Sequence, residues 1–155
     1  MKKVVLTLAV ALIASLSMAQ TNLSGSWKLN AEKSKQGEMS FAPKSLTLVQ
    51  DANTLTVESV SSFQDQEMKS SSKYTLDGKE SVNKGMMDSQ QKSTAVWSAD
   101  KTSLKITSVM DMQGQSMTST ETYKLNGANL EVTFEMNMPN MPEGGMKETR
   151  VYDKK

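Results

Sequence analysis

The chain of 155 residues has no cysteine, no histidine, only three prolines and few aromatic side chains. Each absence removes a class of chemistry. Without cysteine there is no disulfide framework, no thiolate nucleophile and no Cys-built zinc or iron–sulfur site. Without histidine the commonest metal ligand and the usual general base near neutral pH are both missing. Charge of one sign is lacking too, since 18 basic side chains face 17 acidic ones, so the chain has no electrostatic footprint for nucleic acid. No Ser/His/Asp set, phosphate-cradling glycine loop or hard-donor metal spacing is present, and the chain reads as a non-enzyme with no resident cofactor and no metal.

What is there begins with a segment unlike the rest. Lys2 and Lys3 precede an apolar run from Val4 to Leu16 broken by Thr7 and Ser15, and Ser17-Met18-Ala19 puts small residues where a signal peptidase reads. Residues 1–19 therefore read as a secretory signal peptide cut near Ala19/Gln20, with a secreted or periplasmic product. The run of 13 residues is too short for a spanning helix, which needs ~20 apolar residues. The expected mature chain, 20–155, contains no transmembrane segment, forms one domain and reads as a monomer.

In the mature part the apolar share falls to about a third, low for a globular domain, yet the apolar positions alternate with Ser, Thr and charged residues over many short runs. Strands with one dry face need fewer apolar residues than buried helices do, so the pattern indicates an all-β domain. A shift of 49 residues aligns 48–78 with 97–127 without a gap, with 11 identities in 31 positions, among them Asp51/Asp100, Leu55/Leu104, Ser59/Ser108, Met68/Met117, Ser70/Ser119 and Tyr74/Tyr123. Each copy reads as turn, strand, hairpin tip, strand, turn, and a shortened third copy is expected over Leu130 to Tyr152.

Alternation and turn chemistry place strands at Gly25–Asn30, Ser45–Gln50, Thr54–Phe63, Met68–Leu76, Lys92–Ser98, Ser103–Met112, Ser116–Leu125, Leu130–Met138 and Lys147–Asp153, with a weak strand near Glu80–Asn83. Ala31 to Pro43 reads as a polar loop or short helical turn. Asp77-Gly78 and Asn126-Gly127 suit tight hairpin turns. A meander of such strands has two unpaired edges unless it closes, which favours an antiparallel up-and-down barrel of 8–10 strands, lipocalin-like in architecture, over an open sheet.

Every second residue gives the inward face. It carries branched aliphatics and Tyr near the Asp77-Gly78 and Asn126-Gly127 turns, small hydroxyls in mid-strand, and Met or Phe at the hairpin tips. The tips supply Phe63, Met68, Met110, Met112, Met117, Met136, Met138 and Met146. Thioethers adapt to differently shaped apolar partners, and mid-strand serines empty the interior, so these residues are expected to line the mouth of a cavity for an apolar or amphiphilic small molecule. A structural barrel of the cell envelope, with Met merely filling its core, is the alternative. Glu121, Glu148 and Arg150 are the only charges on the inferred inner face. Arg150 would either pair with a carboxylate or meet an anionic head group.

Leu23-Ser24-Gly25-Ser26-Trp27-Lys28-Leu29 resembles the Gly-x-Trp motif that opens lipocalins. Asn30-Ala31-Glu32-Lys33-Ser34, Pro43 before a strand and Tyr74-Thr75-Leu76-Asp77-Gly78 are similar to a group of bacterial secreted lipocalin-like (calycin-type) proteins of unassigned function. The resemblance spans most of 20–155 and implies a ligand-binding barrel with Trp27 packed at its closed end.

The segment 136–146 holds four thioethers, Met136, Met138, Met141 and Met146. Soft sulfur donors of this density suit Cu(I), which leaves a Met-based copper site as a further alternative. The same residues folded over the barrel mouth would make a hydrophobic lid.

Overall fold

The computed structural model describes residues 19–37, 40–63, 66–85, 89–112, 114–137 and 145–155, with backbone only for Phe63 and Met112. The signal-peptide reading of 1–19 falls almost wholly outside these residues, as do Met138 and Met141.

Ten strands form a single antiparallel sheet: β1 (Gly25–Leu29), β2 (Ser45–Gln50), β3 (Thr54–Phe63), β4 (Gln66–Thr75), β5 (Glu80–Lys84), β6 (Gln90–Trp97), β7 (Ser103–Met112), β8 (Gln115–Asn126), β9 (Asn129–Asn137) and β10 (Met146–Lys154). β2, β3 and β7 span the residues that alternation assigns to them, and the other strands differ by one or two residues at their ends. The described residues of 31–43 make a turn and a single bridge, Lys35 to Thr149, and hold no helix. Among the described residues no helix is long and apolar enough to cross a membrane.

The strand order is β4-β3-β2-β1-β10-β9-β8-β7-β6-β5. The two chain ends meet, β1 pairing with β10, and the sheet curls into a nearly closed barrel. The break in the backbone ladder falls between β4 and β5, neighbours in sequence, where the Asp77-Gly78 turn had promised a hairpin ladder. Side chains bridge it instead. Asn83 Nδ2 donates to the Lys73 carbonyl at 3.0 Å while its Oδ1 accepts from the Lys73 N–H at 2.8 Å. Ser81 Oγ accepts from the Thr75 N–H at 3.0 Å. One amide side chain thus stands where a partner peptide would be.

The core sits at one end. Leu23, Trp27, Leu46, Leu48, Leu55, Tyr74, Leu76, Trp97, Leu104, Ile106, Tyr123, Leu130, Val132 and Tyr152 are buried together. Trp27 belongs to this packed end and its Nε1 donates to the Leu23 carbonyl at 3.2 Å. The Gly of the Gly-x-Trp motif has a physical reason: Gly25 has φ +147°, and a Cβ there would lie 3.4 Å from the Trp27 indole nitrogen, a backbone state and an approach that suit glycine.

Candidate ligand site

Antiparallel register aligns inner-face residues of β8, β9 and β10 into rungs that run from the packed end to the tips. The first is Leu125, Leu130 and Tyr152; the second Tyr123, Val132 and Arg150; the third Glu121, Phe134 and Glu148; the fourth Ser119, Met136 and Met146. Opposed side chains in such rungs lie within contact distance. The order is an apolar floor, a charged middle and a thioether rim.

Exposure follows the same gradient. Leu130, Val132 and Tyr152 are buried, as are Leu55, Val57 and Tyr74 on the opposite wall. Toward the tips the inward residues Ser59, Ser61, Ser72, Met117, Ser119, Phe134, Met136 and Met146 are only half-buried. A side chain that points inward and still meets solvent marks an interior open at that end.

The sequence-derived site residues divide accordingly. Met110 and Met117 are cross-strand partners, and so are Met136 and Met146. Met110 is buried, its sulfur against Gly85, where a Cβ would come within 2.6 Å of it; it is wall and not rim. Met68 stands apart, 56% exposed on β4 at the broken edge. Phe63 and Met112 end β3 and β7 at the tips, where their backbones pair with Gln66 and Gln115. Met138 lies outside the described residues. Gly145, which lets the chain enter β10, has φ +57°, and a Cβ there would strike the Met136 carbonyl.

Arg150 is 3% exposed and is the hub of the middle rungs. Its Nε donates to Glu148 Oε2 at 2.8 Å, its Nη1 lies 3.7 Å from Glu121 Oε1, and its Cζ sits 4.0 Å from the Phe134 ring centroid. Glu121 Oε2 accepts from the Tyr123 hydroxyl at 2.8 Å. Glu148 is fully buried and its second oxygen, Oε1, has no hydrogen-bond partner. Burial pushes the Tyr74 phenol up to about 12 and raises Tyr123 and Tyr152 well above the usual phenol value, with Glu121 adding to all three. The phenols therefore remain protonated donors at neutral pH.

The sequence reading placed Arg150 in the site and named Glu121 and Glu148 as inward charges. It did not assign Phe134, Tyr123 or Tyr152 to the site, although the spacing Glu148, Arg150, Tyr152 is the period-2 signal of one strand face. A hollow of about 310 Å³ touches the rim at Met136 and otherwise lies on the outer face, beside Thr118, Thr120, Glu135, Asn137 and Lys147. Another, of about 530 Å³, lies beside Asn22, Gln50 and Lys101 at the packed end.

No protein-family model matches the chain, and no curated protein matches it by sequence. Solved structures match it by shape. A secretary abundant heat soluble (SAHS) protein from Ramazzottius varieornatus superposes with a TM-score of 0.63 over 89% of this chain and 98% of that one, at 14% identity. Fatty-acid-binding protein 1 of Echinococcus granulosus gives a TM-score of 0.57 over 85% and 96%, at 13% identity. At these identities the likeness is one of fold: a calycin-like β-barrel.

Proposed function

We propose that this chain is a secreted or periplasmic binding protein, without enzymatic activity, that holds an apolar or amphiphilic small molecule inside the open end of its barrel. The observation that carries the reading is the graded interior: inward Met117, Met136 and Met146 with Phe134 are reached by solvent, above buried Arg150 and a packed floor. Flexible thioethers at the entrance accommodate apolar chains of varied shape, and a few placed polar groups within an apolar wall are how small-molecule sites fix orientation. A shape neighbour titled as a fatty-acid-binding protein lends support to a lipophilic ligand. The extracytoplasmic location rests on the leader-like residues 1–19.

The test is uptake of the neutral apolar dye Nile red by residues 20–155. Saturable binding is expected, and Met136→Asp should weaken it about tenfold while leaving the thermal midpoint nearly unchanged, because a rim side chain contributes little packing. Absence of saturable binding would instead favour a filled barrel with a structural role in the envelope.

A further inference from the structure

The charges inside the barrel are unevenly matched. Arg150 is the only arginine of the chain, and on the rungs it faces two carboxyl groups, Glu148 at 2.8 Å and Glu121 at 3.7 Å. The other cation on this face, Lys154, lies beyond Tyr152 at the packed end over the Trp27 ring, and the remaining described inner-face residues of these strands are uncharged, so no second cation stands in the rungs around Arg150. The guanidinium is further covered by the Phe134 ring. A ligand carboxylate entering here would find its only cation already engaged and would bring a third acidic group into a site that holds one base. Buried charge without a partner is strongly unfavourable.

The unmet demand has the opposite sign. Glu148 Oε1 is buried and accepts no hydrogen bond, and a buried acceptor left unsatisfied is costly until a donor reaches it. Glu148 lies directly opposite Phe134 in the third rung, one step below the half-buried Met136 and Met146 rim. A ligand chain lying along the thioethers would point its head group toward that rung.

Building on the ligand-binding reading above, we infer that the amphiphile held here has a head group that donates hydrogen bonds and carries no negative charge, a primary amine being the strongest of the class and an alcohol the next, with Glu148 Oε1 as its acceptor and Glu121 as the second carboxylate beside it. Free fatty acids are disfavoured.

Displacement of bound Nile red by dodecylamine, dodecanol and dodecanoate at pH 7 decides it, the three sharing one alkyl chain. Dodecylamine should displace the dye at a concentration about tenfold lower than dodecanoate, with dodecanol between, a factor of ten being the effect of one modest charged contact. Glu148→Gln should narrow the amine-to-carboxylate ratio to about threefold or less, by weakening the amine and strengthening the acid. Glu121→Gln, at a half-exposed position, should narrow it in the same direction and serves if the Glu148 variant does not fold. Dodecanoate displacing as well as or better than the amine would overturn the inference while the binding reading stands. So would a ratio unmoved in both variants, or dye binding that none of the three chains displaces. A failure of Nile red to bind at all would remove both.

Discussion

The hairpins β3–β4 and β7–β8 carry matching residues at matching register yet lie in different surroundings. Leu55 opposes Tyr74 and Ser59 opposes Ser70; 49 residues on, Leu104 opposes Tyr123 and Ser108 opposes Ser119. At the packed end the copies behave alike, with both Leu and both Tyr buried. Further out they diverge. Ser59 bonds within its own hairpin, to Ser70 at 2.7 Å near solvent, whereas Ser108 reaches across to Ser93 of β6 at 2.8 Å and is buried. Met68 is exposed and its counterpart Met117 half-buried. The cause is neighbourhood: on the side away from its hairpin partner Ser108 opposes Ser93 where Ser59 opposes Leu46, and β8 is laddered on both sides, by β7 and β9, while β4 is laddered only by β3. Residue type and strand parity choose the direction of a side chain, and the flanking strand decides whether that direction is dry.

The largest effect expected from this contrast is on core truncation. Leu55 and Leu104 are both fully buried, and removing such a side chain costs ~2–5 kcal/mol depending on how far the site collapses. Leu104→Ala, opposite Trp97 and Tyr123 on two continuous ladders, should fall at the upper end of that range. Leu55→Ala, one strand from the broken edge, should fall at the lower end. Urea unfolding of the two variants measures the difference, and equal losses would show that β4 is as tightly held as β8.

The inward face was legible from alternation alone because each strand keeps one parity without a bulge: Leu55 and Val57, Leu104 and Ile106, Leu130 and Val132, and Tyr152 all point where period 2 puts them. The packed and open ends were legible as well, since side-chain volume falls along the inner face from Leu and Tyr to Ser. Two things were not. The gap between β4 and β5 depends on Asn83 and Ser81 standing in for backbone, and nothing in Glu80-Ser81-Val82-Asn83 distinguishes that arrangement from an ordinary short strand. The coupling of Arg150 to Phe134, Glu121 and Tyr123 depends on the register of three strands, and local patterns do not contain it.

That gap supplies a smaller and more local test. Asn83→Ala removes both bonds to Lys73, partly solvated ones, at a cost of ~1 kcal/mol. The informative reading is hydrogen exchange at single amides. The Lys73 amide should lose protection, while that of Thr122, its equivalent 49 residues on and held in the β7–β8–β9 ladders, should be unchanged. Slowed or unaltered exchange at Lys73 would mean that β4 is restrained by something other than the Asn83 bridge.

The smallest effect concerns the turns that open the two copies. Asp100 Oδ1 accepts from the Ser98 hydroxyl at 2.6 Å, the Thr102 hydroxyl at 2.9 Å and the Thr102 N–H at 3.2 Å, which together push its carboxyl down to about 2. Asp51, at the equivalent place, accepts from the N–H groups of Asn53 and Thr54 at 2.7 Å and from the Thr54 hydroxyl at 2.8 Å, which hold it below the usual carboxylate range. A carboxyl lowered by folding stabilises the native state in its ionised form, so the contribution is present above the unfolded value of ~3.9 and is lost as pH falls through the folded one. The thermal midpoint should therefore decline between about pH 4 and pH 2. Asp100→Asn should start lower near neutrality and decline less steeply across that window, Asp51→Asn should flatten it by a smaller amount, and the double variant should be flattest. Both turns face solvent, so these differences are slight, and they are best read as slopes against pH in one buffer series. An Asp100→Asn slope as steep as the parent's would place the acid sensitivity in other carboxylates, Asp77, Glu135 and Asp153 also having values that hydrogen bonds and lysine contacts lower.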